Sequence, residues 1–143
     1  MPTPSARGDV AVVEWPASLR VCAAASGSHV RAFRRHLARW LGGDHLEPDV
    51  VDDLVLAASE ALENCCDHAY AGGPSGGTMC LTARAVDDTL VITVADDGHW
   101  RAAGQEPGHR GRGLEMMRAL VDEVEVSAGP DGTQLVLTHH VTR

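Results

Sequence analysis

The sequence contains no lysine, so all twelve of its basic residues are arginines. A P-loop needs a lysine on the phosphates, and a protein kinase of the eukaryotic type needs one on a strand. Both are excluded, and any nucleotide must be held by backbone amides, arginines and a metal. Aromatic residues are also scarce, at 3% of 143 residues. The core must therefore be built from Val, Leu, Ala and Met, with Phe33 and three tryptophans as rare large fillers. Positive charge is in deficit too, at a net −8, which argues against broad attraction to nucleic acid or anionic lipid. No apolar run approaches membrane-spanning length, and no basic region followed by an apolar core opens the chain. A soluble, intracellular protein with no direct nucleic-acid or membrane partner is expected.

Cysteine is sparse, at four residues: Cys22, Cys65, Cys66 and Cys80. None form a C-x-x-C pair, and the adjacent Cys65 and Cys66 are awkward for zinc or a simple disulfide. The expectation is buried free thiols in a reducing cytoplasm.

A length of 143 residues suits one domain with a proper core. Residues 1–9 are rich in small residues and Pro and read as a flexible leader, with the domain proper over 10–143. Val10 to Trp15 reads as a first strand ended by Pro16. The helical spacing of Val30, Phe33, Leu37, Trp40 and Leu41 predicts a helix from about Ser28 to Leu41, stopped by Gly42-Gly43. Its other faces carry Arg31, Arg34, Arg35 and Arg39. A second helix is predicted from Pro48 to His68, with Val51, Leu54, Val55, Ala58, Ala61, Leu62, Cys65 and Ala69 on one buried arc. Thr78 to Ala85 and Thr89 to Ala95 read as a hairpin. A polar loop from His99 to Arg110 precedes a third helix over Gly113 to Val121. Strands over Glu123 to Ser127 and Thr133 to His140 close the chain. The order βααββαββ predicts an α+β two-layer sandwich: a mixed, mostly antiparallel sheet with helices packed on one face.

Four segments carry chemistry. In the second helix Glu60 and Asn64 stand one turn apart on a face offset from the apolar arc, able to orient a water or ligate a hard cation through oxygen. The hairpin ends in Asp96-Asp97-Gly98, where a carboxylate can accept a hydrogen bond from an amino group and Gly allows close approach. Arg110-Gly111-Arg112-Gly113-Leu114 opens the third helix, and glycines at a helix N-terminus expose amides to a phosphate. Gly132-Thr133-Gln134-Leu135 begins the last strand. His68 is flanked by Asp67 and Tyr70, which do not form a metal spacing, so capping or packing is its plainest role. His139 and His140 alternate along a strand and cannot easily share a metal.

In order and spacing these segments resemble the Bergerat-type ATP-binding fold of histidine kinases, gyrase-type ATPases and Hsp90 chaperones. The forms SEALEN..DHAY, ADDG, GRGLEMM and DGTQL are most similar to those of the serine-kinase anti-sigma factors. The resemblance covers roughly Val12 to the C-terminus and implies roles position by position. Glu60 is the expected general base, taking the proton of a protein serine as it attacks the γ-phosphate of ATP. Asn64 is the expected magnesium ligand, and Asp96 the acceptor for the adenine amino group, with Gly98 making room for the base. Gly111 and Gly113 present amides to the phosphates, Arg110 and Arg112 add charge, and Thr133 helps hold the purine. His68 and Leu114 fall in the same motifs and are counted with the nucleotide-binding set. The sequence departs from the family at Trp100, where a second glycine often stands, and at His109, where some members have an arginine. The implied partners are a sigma factor and a small anti-anti-sigma protein of the STAS type, with homodimerisation in the cytoplasm. A binding module that regulates partners without catalysis is the alternative. A detached histidine-kinase domain fits poorly, because no dimerisation helix with an acceptor histidine precedes the motifs.

Overall fold

A computed structural model describes residues 17–42, 46–71, 77–97, 111–129 and 132–141, with the side chains of 68–71 and 111–112 outside the description. Its elements are β1 (Leu19–Ala24), α1 (Gly27–Leu41), α2 (Pro48–Ala71), β2 (Thr78–Val86), β3 (Thr89–Asp96), α3 (Gly111–Leu120), β4 (Glu123–Gly129) and β5 (Gly132–His140). The strands form one sheet in the order β1-β2-β3-β5-β4. Every described pairing is antiparallel, so the sheet is simpler than the mixed one expected.

The helices form the second layer, on one face. α2 lies in the middle of that layer, touching α1, α3, β3 and β5. The strands alternate accordingly: Leu81, Ala83, Leu90, Ile92, Val94, Leu135 and Leu137 point to the helices and are buried, while Arg20, Arg84 and Gln134 face outward. Burying each such Leu or Ile stabilises the fold by roughly 1.5–3 kcal/mol. Because α2 has neighbours on three sides, it buries more than the single arc expected from its apolar spacing. Ala57, Ser59, Asn64 and Cys66 are buried as well.

The boundaries follow local chemistry. Trp40, near the end of α1, is buried and donates its indole N–H to the Ala17 carbonyl at 2.8 Å, tying the start of the described chain to the core. The β2–β3 turn is made by Asp87 at φ 55°, a left-handed conformation that Asp tolerates. α3 begins at Gly111, two residues before the expected start, so both motif glycines lie in its first turn. His139 approaches Asp122 at 3.5 Å, whereas His140 approaches Glu123 at 3.5 Å. Among the described residues no helix is long and apolar enough to cross a membrane.

Two expectations need correction or lie beyond view. The strand expected over Val10–Trp15 falls outside the described residues. The first described strand, β1, was passed over because its apolar positions Leu19, Val21 and Ala23 are few and its sequence ends in two alanines, poor strand formers. The reading of four free thiols is wrong for two of them: Cys22 and Cys80 form a disulfide, while Cys65 and Cys66 are free and buried. The physical reason is register. Cys22 of β1 stands directly opposite Cys80 of β2, with Cα atoms 4.1 Å apart, although 58 positions separate them in the chain. The bridge joins the edge strand to its one sheet neighbour on the face away from the helices.

Closing a loop of that length removes about 4 kcal/mol of unfolded-state entropy by the chain-entropy rule, of which about 2–4 kcal/mol is usually realised. Urea unfolding with and without reductant should show that loss on reduction. A Cys22→Ala, Cys80→Ala double variant should start from the lower value and no longer respond to reductant.

Candidate nucleotide site

The site is assembled from α2, the first turn of α3 and the adjoining ends of β3 and β5. On α2, Asn64 is 5% exposed and Glu60, one turn earlier, is half-buried. Glu60 packs against the start of α3. A Cβ built on Gly113 would lie 3.0 Å from Glu60 Oε2 and 3.2 Å from its Cγ, so glycine is what lets the carboxylate sit there. The first-turn amides of α3, Gly111 to Gly113 among them, have no acceptor within their own helix and mark its positive end. A carboxylate and first-turn amides that lack an acceptor within their own helix are thus neighbours.

The strand ends form the other half. Asp96 and Asp97 are adjacent, and the pleat sends them to opposite faces. Asp97 is exposed, and its Oδ1 accepts the Thr78 backbone N–H at 2.9 Å, closing the open end of the β2–β3 pair. Asp96 faces the helices, in register with buried Met79 on one side and Thr133 on the other. Thr133 is 5% exposed, and its Oγ1 has no hydrogen-bond partner among the described residues. A buried hydroxyl without a partner costs about 1–3 kcal/mol, so it fits a ligand that supplies the missing bond. Beside it Gly132 has φ 136°, and a Cβ there would come within 2.8 Å of the Asp97 Cα. Only glycine lets the β4–β5 turn close against the end of β3.

Helix and strand halves meet at Cys65. Its side chain is 4% exposed, with the Asp96 carboxylate nearby. Burial, reinforced by the negative charge of Asp96, pushes this thiol far above its ordinary range, so it stays protonated. Cys66 is pushed up to about 11, chiefly by burial and then by Glu63 and Asp67.

Of the residues singled out in the sequence, Glu60, Asn64, Asp96, Gly113 and Thr133 are therefore gathered around α2 and the strand ends. Gly111 contributes backbone in the first turn of α3, and Leu114 is half-buried against the core. Gly98 and Arg110, the side chains of His68 and Arg112, and the departures at Trp100 and His109 lie outside the described residues. Cys65, beside Asn64 on the apolar arc, is buried as its spacing predicts.

The fold and this arrangement define an ATP-binding domain of the type that grips nucleotide without a lysine. Residues 23–139 match the family described as the histidine kinase-like ATPase domain, and the chain belongs to that family. Within it, the chain is 31% identical over 109 residues to serine-protein kinase RsbW of Bacillus pumilus, covering 65% of this chain and 67% of the relative. It is 30% identical over 112 residues to the anti-sigma F factor of Caldanaerobacter subterraneus, covering 68% and 77%. Among solved structures, that of the RsbU and RsbW domains of Rv1364c from Mycobacterium tuberculosis superposes with a TM-score of 0.65 at 30% identity. That match covers 90% of this chain but only 33% of the solved one. A histidine kinase domain from Erythrobacter litoralis, at 20% identity and a TM-score of 0.59, covers 80% of this chain and 60% of that one and shares the fold.

Gly113→Ala provides a test of the Glu60 placement. Alanine favours the helix by up to about 1 kcal/mol, so the unfolding free energy should hold or rise. Its methyl group displaces the Glu60 carboxylate, and phosphoryl transfer from ATP should fall about tenfold or more. Denaturation and single-turnover rates measured side by side check both halves.

Proposed function

We propose that this chain is an anti-sigma factor with serine protein kinase activity, using ATP with magnesium to phosphorylate an anti-anti-sigma partner of the STAS type and so regulate transcription. The observation that carries this reading is the contact of Glu60 with Gly113, which puts a carboxylate beside the amide-rich start of α3. The Thr133 hydroxyl next to Asp96, without a hydrogen-bond partner among the described residues, supports a base-binding end at the other side of α2. The comparisons support the kinase and anti-sigma class through relatives of which this chain spans about two thirds.

In this reading Asp96 accepts the exocyclic amino hydrogen of adenine, which selects adenine over a purine bearing oxygen at that position. Thr133 supplies its unpartnered hydroxyl to the same base. The first-turn amides of α3 hold phosphate oxygens through hydrogen bonds and the helix dipole. The set offers amide and carboxylate oxygens, the donors a hard cation prefers, and Asn64 is the assigned magnesium ligand. Magnesium, when bound, neutralises charge building on the phosphates. Glu60 accepts the proton of the partner's seryl hydroxyl as its oxygen attacks the γ-phosphorus, the bond from that phosphorus to the β,γ-bridging oxygen breaks, and ADP and a phosphoserine partner leave.

Partner capture belongs to α1. Arg31, Arg34 and Arg35 line a groove of about 530 Å³ together with Ala38 and Val55 of α2, a basic surface on a chain of net charge −8. A sigma factor or the antagonist, presenting carboxylates, docks here, and homodimerisation uses the same region. The protein acts in the cytoplasm, where ATP and sigma factors are found. A binding module without phosphoryl transfer is the second reading. Trp100, standing where family members often carry a second glycine of the adenine loop, favours it.

Glu60→Gln separates the two readings. The kinase reading expects phosphoserine on the partner to fall by 10²-fold or more, roughly what a general base contributes, with sigma-factor binding retained. An efficient ATP binder that never phosphorylates the partner, even as wild type, supports the module instead. Charge reversal at Arg31 and Arg35 is expected to weaken partner pull-down about tenfold or more while calorimetric ATP affinity stays unchanged.

A further inference from the structure

The face of the sheet away from the helices carries a reactive group that phosphoryl transfer does not use. Cys22 and Cys80 are bonded there, Cys22 exposed and Cys80 partly so. Their strand neighbours on that face are Arg20 and Ala24 of β1 with Thr78 and Thr82 of β2, all exposed or half-exposed. A dissolved thiol can therefore reach the bridge without the core opening. Arg20 stands about 7 Å along β1 from Cys22, and its charge favours a thiolate there. Cys65 and Cys66 are the opposite case, 4% and 5% exposed among the core side chains.

The bridge also sits where few other contacts maintain order. Among the described residues β1 pairs with β2 alone, and it ends in two alanines, which favour strands weakly. Three residues beyond Cys22, the Ala25 N–H donates to the carbonyl of Gly77 at 2.8 Å, and Gly77 lies three residues before Cys80. His29 donates from Nδ1 to the Ala24 carbonyl at 2.7 Å. The covalent link and these two hydrogen bonds together clamp the junction from β1 into α1. Gly27 opens that helix, and Arg31 of the basic groove stands one turn further on.

We propose that the Cys22–Cys80 bridge is a reversible redox switch, exchanged in the folded protein by low-molecular-weight thiols, that sets the order of the β1–α1 junction. In the reducing direction a small thiolate attacks the more exposed sulfur, Cys22 Sγ. The S–S bond breaks, its electron pair leaves on Cys80 Sγ, and that sulfur takes up a proton. A second small thiol attacks the mixed disulfide, which frees Cys22 as a thiol and forms the small-molecule disulfide. Oxidation reverses both steps, with the small-molecule disulfide as the oxidant. The reduced state leaves β1 held by its ladder and its packing on α1 alone. A link to partner capture rests on the reading of the α1 groove given above, whereas the switch itself does not.

The test uses the full chain in buffer without denaturant. Oxidised protein is incubated with reduced glutathione, then alkylated and read by peptide mass spectrometry. Cys22 and Cys80 should be labelled about a hundredfold faster than Cys65 and Cys66, whose burial makes them reporters of global opening. A bridge that resists glutathione, or four cysteines labelled together, makes it a structural staple and overturns the proposal. Amide hydrogen exchange supplies the second readout. Reduction should lower protection of β1 and the first turn of α1 about tenfold or more, with α2 within about twofold, and glutathione disulfide should restore it. A Cys22→Ser, Cys80→Ser double variant should show the reduced pattern under both conditions. Protection at β1 that is the same in both redox states overturns the proposal, as does a reduced chain that glutathione disulfide fails to close again. Loss of partner capture in an otherwise responsive chain would bear on the groove reading alone.

Discussion

The placement of α2 governs the rest of the molecule. This helix crosses the middle of the sheet and must satisfy two demands with one rotation about its axis. Leu54, Ala58, Ala61 and Leu62 fill the core, while Glu60 packs against the start of α3. Successive helical residues are about 100° apart, so a turn that moved Leu62 off the sheet would also swing Glu60 away from Gly113. Core packing and site geometry are therefore one constraint. The same fact explains why α2 is covered on so many sides: α1 and α3 pin its rotation as well as its position.

The strand ends complete what the helix begins. Because side chains alternate along a strand, two adjacent aspartates have separate fates. Asp97 holds the Thr78 amide and seals the sheet, whereas Asp96 turns inward to face Cys65 and Thr133. Gly132 lets the neighbouring turn approach closely enough for Thr133 to sit beside Asp96. These groups thus stand on rigid elements, where a small displacement is resisted by the whole sheet, and the Thr133 hydroxyl there has no partner among the described residues.

At the opposite edge, the Cys22–Cys80 bridge fixes β1, which has a single strand neighbour. β1 leads into α1 through Ala25 and Ser26, and α1 carries the arginine groove. The cross-link thus lies at the foundation of the basic helix, one register step from the Asp96 end of β3 but on the face away from the helices. Cytoplasmic thiols are normally kept reduced, so a cytoplasmic working place would hold this bridge near its limit of persistence.

Much was legible from sequence alone. Apolar spacing located α1 and α2, alternation located the β2–β3 hairpin and β5, and four short motifs pointed to an ATP-binding fold of the anti-sigma kinase class. These signals are local: each is written within a few residues, by a period or by a glycine that a backbone conformation requires. What depended on register between distant segments was not legible. The pairing of Cys22 with Cys80, the register of Asp96 with Thr133 and the contact of Glu60 with Gly113 all join residues far apart in the chain. The strand β1 escaped for the same reason, since its weak propensity is overridden by pairing with β2. Sequence by itself determined most of the elements, β1 excepted, and the chemistry they bear. Packing of α2 on the sheet decided which of those groups meet, because the distance between side chains remote in sequence is set by burial of a shared core.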